Sequence, residues 1–201
     1  MTVNRDLRRI QLLTSFLDTF SVHGLDRTTM RDLIQESGIS SSFIYEMFEG
    51  REQMIIECVR FYYYKKMIDP YEALINDPNL SIPGIIDGIV AIVKQNVRYH
   101  RFLLQVLLHP VYHDDCLDVI THFEEFLLRV SDRFAEKSGV DPDSSYLAVI
   151  SMESIVHAYT IMHDEKLFDV QIERLKRFWQ RSISGETTCM TLEKVSGLRE
   201  R

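Results

Sequence analysis

Apolar residues recur at steps of three and four positions along almost the whole chain, and this spacing is the strongest constraint on the fold. It is the pattern of amphipathic helices that each turn one face toward a core. The chain has 201 residues, of which 45% are hydrophobic, so it can bury one sizeable core or combine a small domain with a larger one. We therefore predict an all-α fold.

The composition disfavours several classes of protein. No run of about 18 apolar residues is present to cross a membrane, and no signal segment is recognisable, so we expect a cytoplasmic protein without membrane contact. The formal charge of −7 argues against a protein that coats nucleic acid, but it leaves room for a local basic patch. The three cysteines are widely spaced, which predicts neither a disulfide framework nor a zinc knuckle.

The sequence carries no recognisable pattern for catalysis or metal binding. His109 and His113 lie four positions apart, but Pro110 between them disfavours the regular helix that would align them. His157 and His163 are six positions apart and do not share a helix face. A Gly-x-Ser-x-Gly elbow and a phosphate-binding glycine loop are both lacking. We predict no enzymatic activity, no cofactor and no metal site.

The N-terminal segment begins with an amphipathic helix, predicted over 5–23 and ended by Gly24. Its apolar positions are Leu7, Ile10, Leu13, Leu17 and Phe20. A second helix follows, capped by Thr28 or Thr29, and Asp32 stands where the partner residue of a capping box is expected.

A tight turn then leads to a third helix. The second helix stops at Gly38, and Ser40 can cap a helix over 41–47. Two short helices joined by such a turn have the spacing of a helix-turn-helix, although other small helical bundles contain similar corners. The corner is accompanied by an ordered set of residues: Phe20, Gly24, Thr28, Thr29, Arg31, Asp32, Ser37, Gly38, Ile39, Ser40, Ile44, Tyr45, Phe48, Arg51 and Glu52. Over roughly residues 7–55 this set resembles the N-terminal domain of the TetR family of transcriptional regulators.

The resemblance implies a helix-turn-helix DNA-binding domain at 1–50, a larger helical regulatory and dimerisation domain at 51–185, and a C-terminal tail at 186–201. It also implies a homodimer that binds a double-stranded DNA operator and a small-molecule effector of unknown identity. The DNA-binding positions that it implies are Arg5, Thr28, Thr29, Ser40, Ser41, Ser42, Phe43, Tyr45, Glu46, Met47 and Arg51.

The charge of the N-terminal domain bears on its DNA affinity, because residues 1–51 carry six arginines and seven acidic residues. None of the arginines lies on the third helix, so we expect the flanking ones to contact phosphates. Those arginines are Arg5, Arg8, Arg9, Arg27, Arg31 and Arg51. Arg51 stands where the family has a phosphate-contacting lysine, the alternative being an exposed surface arginine. Phe43 can contact a thymine methyl group or pack on the second helix, and Glu46 can accept a hydrogen bond from cytosine.

A long helix is predicted to leave this domain over 50–68, followed by a turn-rich stretch over 69–84 that contains three prolines. We interpret that stretch as the break before the rest of the second domain. A helix over 85–97 and a separate, shorter helix over 101–109, stopped by Pro110, are predicted next.

The two C-terminal helices carry the prediction of a dimer interface. Apolar residues surround most of the helix over 143–163, so it must be covered on more than one side. In 167–183 they follow steps that suit a helix partner, although a monomer core alone could explain either pattern. At the C-terminal end of a TetR-like chain the two helices resemble the pair that builds the family's dimer interface. The interface residues that this resemblance implies are Ile155, Tyr159, Phe168, Ile172, Leu175 and Trp179. A mostly apolar effector pocket is predicted to include Phe123, Met152 and Tyr159.

These observations lead to two functional hypotheses. The first is a dimeric transcriptional regulator, a repressor that an effector releases from a palindromic operator. The second is a helical protein of the same shape that has lost strong DNA binding and binds small molecules or protein partners. The flanking arginines favour the first hypothesis, whereas Glu46 and the negative charge of the domain favour the second.

Overall fold

The computed structural model describes residues 2–184, with side chains from residue 5 onward, and confirms the predicted all-α fold. The N-terminal helices are α1 (Thr2–His23), α2 (Met30–Ser37), α3 (Ser41–Met47) and α4 (Arg51–Phe61). A π-helical segment (Tyr62–Ile68) joins α4 to α5 (Asp69–Asn76). The later helices are α6 (Ile82–Leu107), α7 (Leu117–Ser138), α8 (Pro142–Met162) and α9 (Glu165–Ile183), with a 3-10 turn (Asp114–Cys116) before α7. The predicted tail at 186–201 lies outside the described residues.

Helix α1 anchors the N-terminal helices through one buried face. Its buried side chains are Leu12, Leu13, Phe16, Leu17, Thr19 and Phe20. Leu7 and Ile10, which the sequence pattern assigned to this face, are about half exposed at 56% and 48%. The prediction was wrong for these two residues because the buried face is centred on Phe16 and begins only at Leu12.

Helix α6 is the central element, since it packs against α1, α4, α5, α7, α8 and α9. It connects the two predicted domains directly: the ring of Phe102 stacks on that of Phe20 with centroids 5.5 Å apart. Arg98 adds an ion pair with Asp18 of α1 at 2.6 Å. The buried apolar side chains therefore form one core that extends from α1 to α9.

One predicted break between helices is wrong, and another comes later than the start of its stretch. The stretch over 69–84 begins as α5 and breaks only at 77–81, before α6, because the π-helical segment ends just before Pro70. There the backbone N–H of Asp69 bonds to the Tyr64 carbonyl, five residues back, and the wider turn suits a proline that has no N–H to donate. The helices predicted over 85–97 and 101–109 are one helix, α6, because a continuous buried stripe runs through Val93, Phe102 and Val106.

Within residues 2–184, none of the helices combines the length and the apolar character needed to cross a membrane.

We expect Trp179→Ala to lower the free energy of unfolding by about 3–5 kcal/mol, because the indole is 1% exposed and its removal leaves a cavity. The ring of Trp179 meets Phe134 edge to face, with centroids 5.5 Å apart. The measurement is urea denaturation followed by far-UV circular dichroism. Leu128→Ala is the matched control: its side chain is 52% exposed, so its effect should stay within about 0.5 kcal/mol.

Candidate DNA-binding surface and internal cavity

Local caps define where α2 begins and where it turns toward α3. Thr29 and Asp32 form a reciprocal capping box at the start of α2, with 2.8 Å from the Thr29 amide to the Asp32 carboxylate. Gly38 ends α2 with φ of 63°, a left-handed conformation that suits glycine. Ile44, which is fully buried, and Phe48 fix α3 to the core. The chain therefore has a helix-turn-helix with one face of α3 turned outward.

The outward face of α3 is polar and carries no cation. The exposed residues on and around it are Thr29, Ser40, Ser41, Ser42, Tyr45 and Glu46, all of them predicted DNA-binding positions. Ser40 precedes α3, but its hydroxyl lies 3.2 Å from that of Ser42 and does not cap the helix. The predicted side-chain cap at Ser40 is thus wrong. Hydroxyls and a carboxylate on this face can exchange hydrogen bonds with base edges.

Two other predicted DNA-binding residues point inward. Thr28 is 2% exposed, and its hydroxyl donates to the Gly24 carbonyl at 2.8 Å. Met47 is 7% exposed, and its sulfur accepts from Nε of Arg5 at 3.3 Å. Neither side chain can reach a base, because each is already covered by the protein. Phe43 is neither fully exposed nor fully buried. Its ring is half-buried, and the Arg8 guanidinium stands 5.4 Å from the ring centroid.

Arg51 does not face solvent as a phosphate-binding residue would. Its Nε donates to the Thr28 carbonyl at 3.0 Å, and Nη2 donates to the Leu25 carbonyl. Nη1 lies 3.4 Å from the hydroxyl of Tyr112, in the turn after α6. The guanidinium also covers the ring of Phe20 at 5.7 Å. The interpretation of Arg51 as a phosphate contact is therefore corrected: it holds the corner before α2 and connects it to Tyr112.

Other arginines of the predicted phosphate-binding set are also engaged within the chain. Arg9 donates to the Met47 carbonyl at 3.1 Å and forms an ion pair with Glu57. Arg5 lies 3.6 Å from Glu46 in an exposed ion pair, so it lowers the negative potential of the carboxylate that the α3 face presents. Among the described side chains, the exposed Arg27 and Arg31 have no ion-pair partner.

A cavity of ≈ 50 Å³ lies inside the bundle formed by α5 to α9. Its walls are mostly apolar and aromatic, and they include the predicted Phe123 and Met152 together with Tyr71, Phe126 and Trp179. Tyr159, the third predicted effector residue, does not line it. The ring of Tyr159 stacks instead on that of Phe168, with centroids 4.3 Å apart. Burial raises the pKa of Tyr71 well above its usual value, so its hydroxyl stays neutral.

Glu153 is the one charged residue among the described side chains that line this cavity, and the sequence reasoning missed it. The available signal was that Glu153 is the only carboxylate between Asp143 and Asp164 in a mostly apolar helix, because such a group is costly to bury without a partner. Glu153 and His157 are one helical turn apart on α8, with Oε1 and Nε2 2.7 Å apart. This contact with Glu153 raises the pKa of His157.

The predicted interface residues of α9 lie inside a single copy of the chain. Phe168, Ile172, Leu175 and Trp179 are between 1% and 7% exposed, because this face of α9 packs against α6, α7 and α8. The prediction that they meet a second copy was wrong, since a partner cannot reach them. Tyr159 is buried as well, and Ile155 is half-buried. The exposed apolar residues of α8 are Leu147, Ile161 and Met162, at 65%, 72% and 59%.

Comparison with known proteins agrees with the helix-turn-helix. The sequence model of the family described as bacterial regulatory proteins, tetR family, matches residues 13–58. This match confirms the resemblance predicted from the sequence for the N-terminal domain. A search of curated protein sequences found no significant match.

Solved structures are similar over most of the chain. A TetR-like transcriptional regulator from Rhodococcus sp. RHA1 has a TM-score of 0.63 and 17% identity over 89% of this chain and 96% of that one. The TetR family transcriptional regulator PfmR from Thermus thermophilus has a TM-score of 0.59 and 19% identity over 86% and 97%. A tetR-family regulatory protein from Rhodococcus RHA1 has a TM-score of 0.60 and 13% identity over 90% and 97%. At these identities the similarity establishes a shared fold.

We expect Arg51→Ala to lower the free energy of unfolding by about 1–3 kcal/mol, because the Thr28 and Leu25 carbonyls lose their charged donor. Urea denaturation measures the change. Arg31→Ala is the control, since that exposed arginine has no ion-pair partner among the described side chains and should change stability by less than about 0.5 kcal/mol. An Arg51→Ala protein of unchanged stability would contradict the structural role assigned here.

Proposed function

We propose that this chain is a dimeric DNA-binding transcriptional regulator. The premise is that it carries a TetR-family N-terminal domain on the fold of TetR-family regulators. It acts as a repressor that a small effector releases from a palindromic operator. The observation that carries the proposal is the helix-turn-helix within residues 13–58, whose α3 presents an exposed polar face. In such motifs the second helix enters the major groove and contacts base edges.

The polar face of α3 supports recognition of DNA bases through hydrogen bonds with uncharged hydroxyl groups and one carboxylate acceptor. Ser41, Ser42 and Tyr45 are exposed and can donate to or accept from bases and phosphates. Glu46 can accept from the exocyclic amine of cytosine, and its pairing with Arg5 reduces its repulsion of nearby phosphates. Phe43 is half-buried under Arg8, which leaves little of its ring for a thymine methyl group. Specificity is therefore assigned to the hydroxyls and Glu46.

Phosphate contacts fall to the arginines that the fold leaves available. Arg27 and Arg31 are exposed and have no ion-pair partner among the described side chains, and both lie beside the start of α2. Because few cations are available on a chain of net charge −7, DNA binding should be weak at high ionic strength.

Helix α8 supports the dimer, although not through Tyr159 or the α9 residues that the sequence pattern selected. Leu147 and Ile161 are exposed apolar residues near its two ends. Between them the small residues Ser151, Ser154 and Ala158 follow helical spacing, which allows a second helix to approach closely. We assign the dimer contact to this face, so that two α3 helices meet two half-sites of one operator.

The cavity supports an effector site connected to the DNA-binding helices through α6. A volume of ≈ 50 Å³ holds only a few atoms, so a larger ligand must displace the surrounding helices. Ile89 of α6 lines the cavity, and the turn after α6 carries Tyr112, which contacts Arg51. Displacement of α6 would thus be transmitted to the corner that holds α2 and α3.

Selection of bound sequences from a random DNA duplex library should enrich a palindrome at about 100 mM salt. Arg31→Ala should weaken binding to all sequences and reduce the salt slope by about 1, as expected for one lost phosphate contact. Glu46→Ala should relax the preference at one base position at a cost of about 1–3 kcal/mol. Arg174→Ala, an exposed arginine on α9, is the control and should bind as the unchanged protein does.

Failure to enrich any sequence with folded, dimeric protein, even at about 50 mM salt, would contradict the proposal. The absence of a cation on the exposed face of α3 favours, as the second candidate, a small-molecule or protein-partner binding module with this fold.

We expect Leu147→Glu combined with Ile161→Glu to convert the dimer into a folded monomer, because two charges would be buried against a second copy. Sedimentation velocity measures the mass of the particle, and far-UV circular dichroism checks that the helices persist. Leu128→Glu, at a similarly exposed leucine on α7, should leave the dimer intact. A double variant that remains dimeric would exclude this face of α8.

A further inference from the structure

Three side chains capable of binding a metal ion converge between α6 and α8. His100 comes from α6, while Glu153 and His157 lie one turn apart on α8. One ligand atom from each, a ring nitrogen or a carboxylate oxygen, lies within 4.8 Å of the other two. A metal ion with bonds of about 2.0–2.2 Å would sit between these atoms once the side chains adjust, with Oε1 of Glu153 and Nε2 of His157, now 2.7 Å apart, moving slightly away from each other.

His100 is the unusual member of this group, which we call the His100 cluster. Its side chain is buried at 3% exposure, and neither ring nitrogen has a hydrogen-bond partner among the described residues. The neighbouring rings are those of His157, stacked at 5.7 Å, and Tyr62, edge-on at 6.4 Å. A buried polar atom without a partner costs about 1–3 kcal/mol, so native proteins rarely retain one without a use for it.

Glu153 finds its charged partner within this group. Its Oε1 is buried and lies 2.7 Å from Nε2 of His157, its ion-pair partner among the described side chains. No described lysine or arginine forms an ion pair with this carboxylate. A buried carboxylate is stable when it is paired with a cation or coordinates a metal.

We propose that His100, Glu153 and His157 form a binding site for a divalent transition metal ion such as Zn²⁺. Two imidazoles and one carboxylate are a recognised protein ligand set for this class of ion, and they leave a fourth coordination position open. The two nitrogen ligands favour Zn²⁺, Co²⁺ or Ni²⁺ over Mg²⁺ and Ca²⁺, which prefer sites made of oxygen atoms.

The position of the site gives the ion a regulatory role, and this part of the inference rests on the proposed function. Glu153 also lines the internal cavity, so an ion bound here stands at the cavity wall. It would join α6 to α8, and the turn that follows α6 carries the Tyr112 contact with Arg51. The metal ion is then the effector or part of it.

Metal binding is measured first, without DNA, on the untagged and metal-stripped full chain. Titration with Co²⁺ should produce visible absorption bands that saturate at one ion per chain and disappear when Zn²⁺ is added. An excess of Mg²⁺ should not remove them.

Single substitutions assign the ligands. His157→Ala and Glu153→Gln should each weaken Zn²⁺ binding by about 100-fold or more, since even the loss of an outer-shell partner costs about 10–100-fold. Both positions are partly exposed, at 39% and 18% of the side chain, so these variants should fold. His23→Ala removes an exposed histidine on α1 and should bind Zn²⁺ unchanged. Circular dichroism confirms that each variant is folded.

Two results would contradict the proposed metal site. One is the absence of saturable Co²⁺ or Zn²⁺ binding by folded protein, and the other is binding that neither Glu153→Gln nor His157→Ala weakens. Since this measurement contains no DNA, its failure leaves the operator proposal intact. Failure to select an operator sequence would remove the DNA-binding proposal and leave the metal site standing.

Discussion

The Arg51 guanidinium is the interaction on which the arrangement of the functional parts depends. It donates to the Thr28 and Leu25 carbonyls before α2 and contacts the Tyr112 hydroxyl beyond α6. Hydrogen bonds from a charged donor are worth about 1.5–3 kcal/mol each, and the planar fork of arginine can serve several acceptors at once. One side chain therefore holds the helix-turn-helix in place and ties it to the end of the helix that lines the cavity.

The use of arginines inside the fold limits the positive charge that the N-terminal domain presents to solvent. Arg9 and Arg51 contact backbone carbonyls, and Arg5 pairs with Glu46. Fewer arginines are therefore available to phosphates than a count of arginines in this domain suggests. In the proposed regulator, affinity would then rest on the few exposed arginines beside α2, and specificity on the polar groups of α3. This division favours a regulator that is sensitive to salt and discriminates by hydrogen bonding.

Helix α6 connects the N-terminal helices to the C-terminal helix bundle. It packs against α1 and α4 on the DNA-binding side and against α5, α7, α8 and α9 on the other. The His100 cluster and the cavity both lie along it, so a ligand bound at either proposed place would change the packing of the same helix. Because packed helices shift as units, a small displacement at the cavity can reach the turn that carries Tyr112.

Sequence patterns alone determined the features that depend on neighbours within about four residues. These are the N-terminal helices α1 to α3, the capping box of Thr29 with Asp32, the glycine end of α2, and hence the helix-turn-helix itself. Only the tertiary structure decided that Arg51 turns inward, that the apolar seam of α9 is buried within one chain, and that His100 meets Glu153 and His157. The reason is physical: a periodic pattern shows which face of a helix is apolar, whereas the partner of that face is chosen by packing between segments far apart in the chain.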